Sequence, residues 1–245
     1  MKNYHQKLSH FSAFRNDTMI TLQVAGDVEA FQIPKSTLCA ASKYFIGALD
    51  GSFSEAIERR ITLPGCDLDT ARVFIYWLKE HKLPDFAQVV HDQLTWDFGG
   101  EGQGVKSEYE SGTDAVEQTC IQLVHVWMLG DQLLMPVLQN AAMEEILDVL
   151  RIHNDVGAVG MELESLKQAY CSAPAHSCLS KLFVAQAIFQ RYYCDCLDDA
   201  DIEGLMTLPG FCKEFLAAIE GTMDSAKGRK ICPTDQGLDP FMVPT

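Results

Sequence analysis

Hydrophobic and polar residues alternate in two short stretches near the start of the chain. Ile20, Leu22 and Val24 are separated by polar residues, and Phe31 and Ile33 repeat this spacing after a Gly-Asp turn. A period of two is typical of strands with one buried face. The pattern therefore predicts a β-hairpin that buries one side.

Two short helices are predicted after the hairpin. Residues 35–41 form the first, and we expect Ser36 to cap its first turn. The second covers 44–49, and we expect it to stop where Gly51 adopts a left-handed conformation. A polar turn is predicted at 51–55.

A third strand and a longer helix complete this region. Ile61-Thr62-Leu63 reads as the strand, and either Asp67 or Asp69 is placed to cap the helix that follows. We expect the apolar side of that helix to face the sheet. That side carries Phe74, Trp77 and Leu78.

The pattern changes between about Pro84 and Thr113, where glycines and acidic residues alternate. This composition favours a solvated loop. Helical periodicity returns at Asp114 and is interrupted at Gly130-Asp131, and a second helix is predicted from Pro136. Their apolar faces carry Val116, Cys120, Leu123 and Trp127 in the first helix, and Leu138, Ala142, Ile146 and Val149 in the second.

The last third of the chain is predicted to be helical and then disordered. Helices are expected at 161–171, at 179–195 and around 211–219, whereas the residues from Thr222 onward are rich in Gly, Pro and Asp. We therefore expect a disordered tail at 222–245.

Composition and charge argue against several classes of protein. The 245 residues are 47% hydrophobic, which is enough for a packed core. The net charge is -15, and the sequence lacks the basic stripe that releases counterions from nucleic acid. No apolar run approaches the ~20 residues of a membrane span. These observations disfavour direct binding to nucleic acid or membrane.

The nine cysteines raise the question of the redox compartment. The chain opens with Met1–Lys7, which lacks the apolar core of a signal peptide. We therefore expect free thiols and a cytoplasmic or nuclear location, or both.

The order of these elements and several short motifs resemble the BTB/POZ family, and within it the fungal-type members in which the BTB is the sole recognised domain. The matching segments are Phe31-Gln32-Ile33-Pro34-Lys35, Ser42-Lys43-Tyr44-Phe45, Phe53-Ser54-Glu55-Ala56, Ile61-Thr62-Leu63-Pro64 and the stretch from Val124 to Ala141.

The resemblance implies an α+β fold in which a small mixed sheet is flanked by helices. It covers residues 18–150, with the acidic insert at about 84–113, and leaves a helical extension at 151–221. The sequence departs from the family pattern at Pro34, where many members have histidine, and at the insert. No kelch, zinc-finger or MATH-like substrate domain is recognisable.

The resemblance also implies a non-enzymatic module that binds proteins as a homodimer, as an adaptor for a cullin-RING ubiquitin ligase, or both. Phe53 and Glu55 match the hydrophobic-x-Glu motif through which such adaptors contact a cullin. In the competing interpretation Phe53 packs under the loop and Glu55 is a solvated charge. An alternative function is an oligomerising transcription or chromatin regulator that has no association with a ligase.

The N-terminal segment 1–17 carries an apolar stripe formed by Tyr4, Leu8 and Phe11. Their helical spacing would suit the exchanged dimer helix of the family. A frayed terminus is the competing interpretation.

Other motifs point only weakly to chemistry, and we predict no cofactor, metal or catalytic residue. Val105 separates the last glycine of the 99–104 cluster from Lys106, unlike a phosphate-binding loop. Gly210 stands where a calcium loop that starts at Asp199 needs glutamate, so this stretch is predicted to be a solvated acidic linker. The C-terminal cysteines lack zinc-finger spacing and are predicted to be small buried side chains. They are Cys171, Cys178, Cys194 and Cys196, with His176 nearby.

Overall fold

A computed structural model describes residues 17–98, 105–155, 161–223 and 239–245. These residues form an α+β protein with a small mixed sheet and many helices, which confirms the predicted class. The chain divides into two compact units. The first unit comprises Met1–Lys82 and Leu129–Met135, and the second comprises Leu83–Met128 and Pro136–Thr245. The boundaries predicted for the family domain fall elsewhere and stay a prediction.

From residue 17 onward, where its description begins, the first unit contains three strands and four helices. In chain order they are β1 (Met19–Val24), β2 (Ala30–Pro34), α1 (Lys35–Ala41), α2 (Lys43–Asp50), α3 (Ser54–Glu58), β3 (Arg60–Leu63) and α4 (Leu68–Glu80). The strand order is β2-β1-β3. The hairpin is antiparallel, with Ile20 opposite Ile33, and β3 runs parallel to β1, with Ile61 opposite Leu22. The predicted hairpin and third strand are therefore confirmed.

The core of the first unit lies between the sheet residues and the helices. Ile20, Leu22, Ile61 and Leu63 are almost completely buried. On the helices, Phe45 of α2 stacks on Phe74 of α4 with ring centroids 6.4 Å apart. Phe74, Trp77 and Leu78 are buried as predicted.

Of the three predictions about helix ends in the first unit, one is confirmed and two are wrong. Asp67, rather than Asp69, caps α4 and accepts a hydrogen bond from Thr70 N at 2.7 Å. Ser36 does not cap α1, because the helix starts at Lys35 with Pro34 as its N-cap, and Asp17 accepts hydrogen bonds from both the amide and the hydroxyl of Ser36. The predicted left-handed Gly51 is wrong, because its φ is -96°. Lys35 donates to the Leu49 carbonyl at 2.8 Å and satisfies the end of α2.

The second unit consists of helices. They are α5 (Phe86–Phe98), α6 (Val105–Gln132, whose last residues belong to the first unit), α7 (Pro136–Asp155), α8 (Leu163–Ser172), α9 (Cys178–Phe189), α10 (Asp199–Met206) and α11 (Phe211–Met223). A π-helical turn at Gln190–Cys194 extends α9, and a 3-10 turn is present at Asp239–Phe241. The buried faces predicted for α6 and α7 are confirmed.

The solvated loop predicted at 84–113 is wrong where the structure describes it. Residues 86–98 and 105–113 are helical, whereas the glycine cluster at 99–104 lies outside the described residues. Asp85 accepts a hydrogen bond from Gln88 N at 2.8 Å, and Glu145 accepts one from Phe86 N at 3.1 Å. These carboxylates satisfy amides of the first turn of α5, a role that the composition of the segment does not reveal.

Two smaller predictions also need correction. The helix expected to break at Gly130-Asp131 continues to Gln132, and the reversal occurs at Leu134 with φ 55°. The acidic stretch from Asp199, which we expected to be a linker rather than a calcium loop, is helix α10. Its start is stabilised by a capping box in which Asp198 and Asp201 bind each other's backbone amides.

The disordered tail predicted at 222–245 is wrong for residues 239–245. Phe241 is buried, and both backbone polar groups of Val243 bind Asn140. Residues 224–238 lie outside the described part of the chain.

Candidate protein-interaction surface

Helix α3 fixes the position of the predicted contact residues. Phe53 precedes its first residue, and the Phe53 carbonyl accepts hydrogen bonds from Ala56 N at 3.1 Å and Ile57 N at 3.2 Å. The helix ends where Arg59 adopts a left-handed conformation with φ 53° and donates to the Glu55 carbonyl. Phe53 is therefore the N-cap residue of this single turn, and Ile57 lies within the turn four positions later.

The side chains of Phe53 and Ile57 are largely exposed. Phe53 keeps 62% of its surface in solvent and Ile57 keeps 74%. Phe53 is therefore not packed beneath the loop, as the competing interpretation required. We use the name "α3 surface" for Phe53, Glu55 and Ile57.

Gly51 lies directly against the inner side of the Phe53 ring. A Cβ atom at this position would be 2.8 Å from Cδ2 of Phe53, closer than real Cβ contacts allow. Glycine therefore allows the close approach of the Phe53 ring here, and any larger residue would require the ring to move. The rest of the ring stays largely exposed.

Glu55 lies in the first turn of α3, where the partial positive charge of the helix favours a carboxylate. Its side chain is partly buried and accepts a hydrogen bond from the Ser54 hydroxyl at 3.0 Å. This arrangement gives the α3 surface two apolar side chains with a carboxylate between them in sequence. It suits binding to an apolar pocket with polar groups at its edge.

The structure does not describe the second predicted set of contact residues. Tyr4, Leu8 and Phe11 lie outside the described residues, as does the whole segment 1–16. The dimer stripe stays a prediction.

The predicted burial of the C-terminal cysteines is wrong for several of them. Cys171 and Cys194 are exposed, and Cys178 and Cys196 are partly exposed. Among the described residues, His, Cys, Asp and Glu form no group of three that is placed to hold a metal ion. Burial, with a smaller contribution from Glu117, raises the pKa of the Cys120 thiol to about 12. The thiol is therefore protonated at neutral pH and unsuited to nucleophilic attack.

Sequence reasoning missed Ile57 as part of the α3 surface. The signal was present, because the spacing of Phe53 and Ile57 equals one helical turn. The sequence predicts a polar turn at 51–55, and a spacing of four residues indicates a shared face only on a helix.

Comparison with known proteins adds no relative. No protein-family model matches the sequence, and no curated protein matches it either. Within the described ranges, no helix has the length and apolar character needed to cross a membrane.

Proposed function

We propose that this protein is a non-enzymatic protein-interaction module whose α3 surface binds a helical partner. The observation that carries the proposal is the exposure of Phe53 at the start of α3 and of Ile57 within it. Full burial of such a side chain is worth about 1.5–3 kcal/mol. An exposed aromatic side chain and an exposed aliphatic side chain on the same short segment can therefore act as contacts of an interface.

The partner that best fits this surface presents an apolar pocket between helices with polar donors at its edge. Phe53 would enter the pocket, Ile57 would cover its side, and Glu55 would accept hydrogen bonds at the edge. The neighbouring helix α2 adds Ile46, which is also exposed. The anchor is pre-organised because Gly51 supports the ring in the unbound protein.

The resemblance to BTB/POZ proteins suggests a cullin scaffold as this partner. The first unit contains the hairpin, the short helices, the third strand and the longer helix in the order on which the resemblance rests. Phe53 and Glu55 occupy the motif positions of cullin adaptors, and the exposure of Phe53 supports this use. The homodimer and the cytoplasmic or nuclear location stay predictions.

Binding to a purified cullin tests the proposal. We expect Phe53→Ala and Glu55→Lys each to weaken retention of the cullin by roughly tenfold or more, as for a central interface residue. Val28→Ala is the matched control, because Val28 is fully exposed in the hairpin turn of the same unit. Cullin binding that is unchanged by both α3 variants would show that the site assignment is wrong.

A further inference from the structure

The residues at 239–245 are held on the second unit by contacts of two kinds. Phe241 is an apolar anchor with only 3% of its surface exposed, and the 3-10 turn that contains it packs against α9. Backbone contacts follow at once. The Cys178 thiol at the start of α9 donates to the Met242 carbonyl at 3.3 Å, and Asn140 of α7 binds Val243.

The side-chain amide of Asn140 binds both the N–H and the C=O of Val243. Its Nδ2 donates to the Val243 carbonyl at 2.9 Å, and its Oδ1 accepts from Val243 N at 2.6 Å. A β-ladder satisfies one residue of a strand in the same way, through its N–H and its C=O together. The side-chain amide of asparagine carries the donor and the acceptor that this requires.

This combination is the chemistry of peptide recognition. Backbone hydrogen bonds give affinity that does not depend on sequence, and a buried side chain gives specificity. The residue that Asn140 binds is 103 positions away in the sequence, so the contact joins α7 to a distant segment. We use the name "tail-docking surface" for Asn140, Cys178 and the face of α9 that packs on the 239–241 turn.

We propose that the tail-docking surface is a binding site for peptides of another protein, and that residues 239–245 compete for it within the chain. The partner peptide would carry an aromatic anchor two positions before the residue whose backbone Asn140 binds, with apolar residues between and after them. This chemistry is read from the Phe-Met-Val segment that occupies the site. The proposal does not depend on the α3 surface.

The covalent link makes the internal segment a strong competitor. Its binding is intramolecular, so it competes at an effective concentration that does not depend on the amount of protein. A partner peptide at µM concentration therefore binds well only when the internal segment is weakened, and the site is regulated by whatever weakens it.

Fluorescence polarisation on the full chain tests this directly. The probe is a labelled peptide with the sequence of residues 237–245. We expect it to bind a Phe241→Ala chain roughly 10²-fold more tightly than the unmodified chain, because the tethered competitor is disabled. A peptide with alanine in place of the phenylalanine should not bind, and an added Asn140→Ala substitution should weaken binding about tenfold. Equal binding to both chains, or binding that ignores the phenylalanine of the peptide, would overturn the proposal.

A second measurement keeps the test decisive if Phe241→Ala disturbs folding. Asn140→Asp keeps the size of the side chain but places a carboxylate oxygen against the Val243 carbonyl in place of the donor. We expect this chain to release residues 239–245 and to alkylate faster at Cys178, as read by peptide mass spectrometry. Cys171 and Cys212 are exposed and should react at unchanged rates. An unchanged rate at Cys178 would show that Asn140 does not hold the segment and would overturn the proposal.

Discussion

Phe53 and Phe241 have similar local settings and opposite exposure. Phe53 precedes the single-turn helix α3, and Phe241 ends a 3-10 turn. Yet Phe53 is 62% exposed, whereas Phe241 is 3% exposed. The difference comes from residues that are distant in sequence, since Asn140 and Cys178 hold the segment around Phe241. Among the described residues, the chain thus supplies a surface that buries the aromatic residue of the short turn in the second unit, whereas the aromatic residue of the first unit stays exposed.

The largest expected effect distinguishes an anchor from a core residue within the first unit. Phe45→Ala should lower the free energy of unfolding by about 3–5 kcal/mol, because Phe45 is completely buried and stacks on Phe74. Phe53→Ala should change it by about 0.5 kcal/mol or less. Chemical denaturation of both variants measures the difference. If Phe53→Ala costs as much as Phe45→Ala, then Phe53 has a structural role and the α3 surface is not an unoccupied site.

An intermediate effect is expected for Phe241. Its burial is as complete as that of a core side chain, but release of residues 239–245 limits the loss, since only the docking free energy can be lost. Phe241→Ala should therefore cost roughly 1–3 kcal/mol. In native-state hydrogen exchange, the Val243 amide should exchange faster.

Hydrogen exchange of buried residues in α9 provides the control for Phe241→Ala. Leu182 and Phe183 are buried there, and their amides should keep their protection. Loss of protection throughout α9 would mean that Phe241 belongs to the core of the second unit and is not a releasable anchor.

Much of the first unit was predictable because its signals are local. Alternation at a period of two places β1 and β2, and Asp67 lies three residues before the amide that it caps. Helix α5 was missed although Asp85 caps it locally, because the glycines and acidic residues of 84–113 favour a loop. Its first amide is satisfied by Glu145, 59 positions away. Helix α10 was missed although its capping box is local, since Asp198 and Asp201 were read only as part of an acidic stretch.

The residues of the candidate site could be predicted from the sequence, but their exposure could not. The family motif selected Phe53 and Glu55, and no pattern in the sequence states that the outer face of Phe53 stays in solvent. The docking of Phe241 was equally hidden, because its partners Asn140 and Cys178 follow no periodicity that includes residue 241.

A smaller effect is expected when the support of Phe53 is changed but the ring is kept. In Gly51→Ala, the new Cβ would lie 2.8 Å from Cδ2 of Phe53, so the exposed ring must swing outward. Stability should fall by about 1 kcal/mol or less, because the ring is free to move. Cullin binding should weaken several-fold, because the anchor loses its pre-organised orientation.

Gly47→Ala provides the matched control for Gly51→Ala. Gly47 lies in α2, where an added Cβ meets nothing within 4 Å. This variant should bind the cullin as the unmodified chain does. Equal weakening by both glycine variants would show that the effect comes from α2 and not from the orientation of Phe53.

The smallest expected effect is a change in pH-dependent stability when Glu145 is replaced. Glu145 makes the long-range contact between α7 and the start of α5 in the second unit. Burial raises the pKa of the Glu145 carboxyl above its ordinary value, although hydrogen bonds from the amides of Phe86 and Ala87 oppose this. A raised pKa in the folded state means that Glu145 supports stability most fully below the unfolded-state pKa. This contribution is lost as the pH rises through the folded-state pKa. Glu145→Gln keeps an oxygen that accepts from Phe86 N but does not ionise.

We therefore expect the free energy of unfolding of the Glu145→Gln chain, relative to that of the unmodified chain, to be higher at about pH 7 than at about pH 4. Urea denaturation at both pH values measures this difference. Glu144→Gln removes the same charge from an exposed position on α7 and should show no such change. Parallel pH profiles for the unmodified and Glu145→Gln chains would mean that the contact between α7 and the start of α5 does not shape the pH dependence of the second unit.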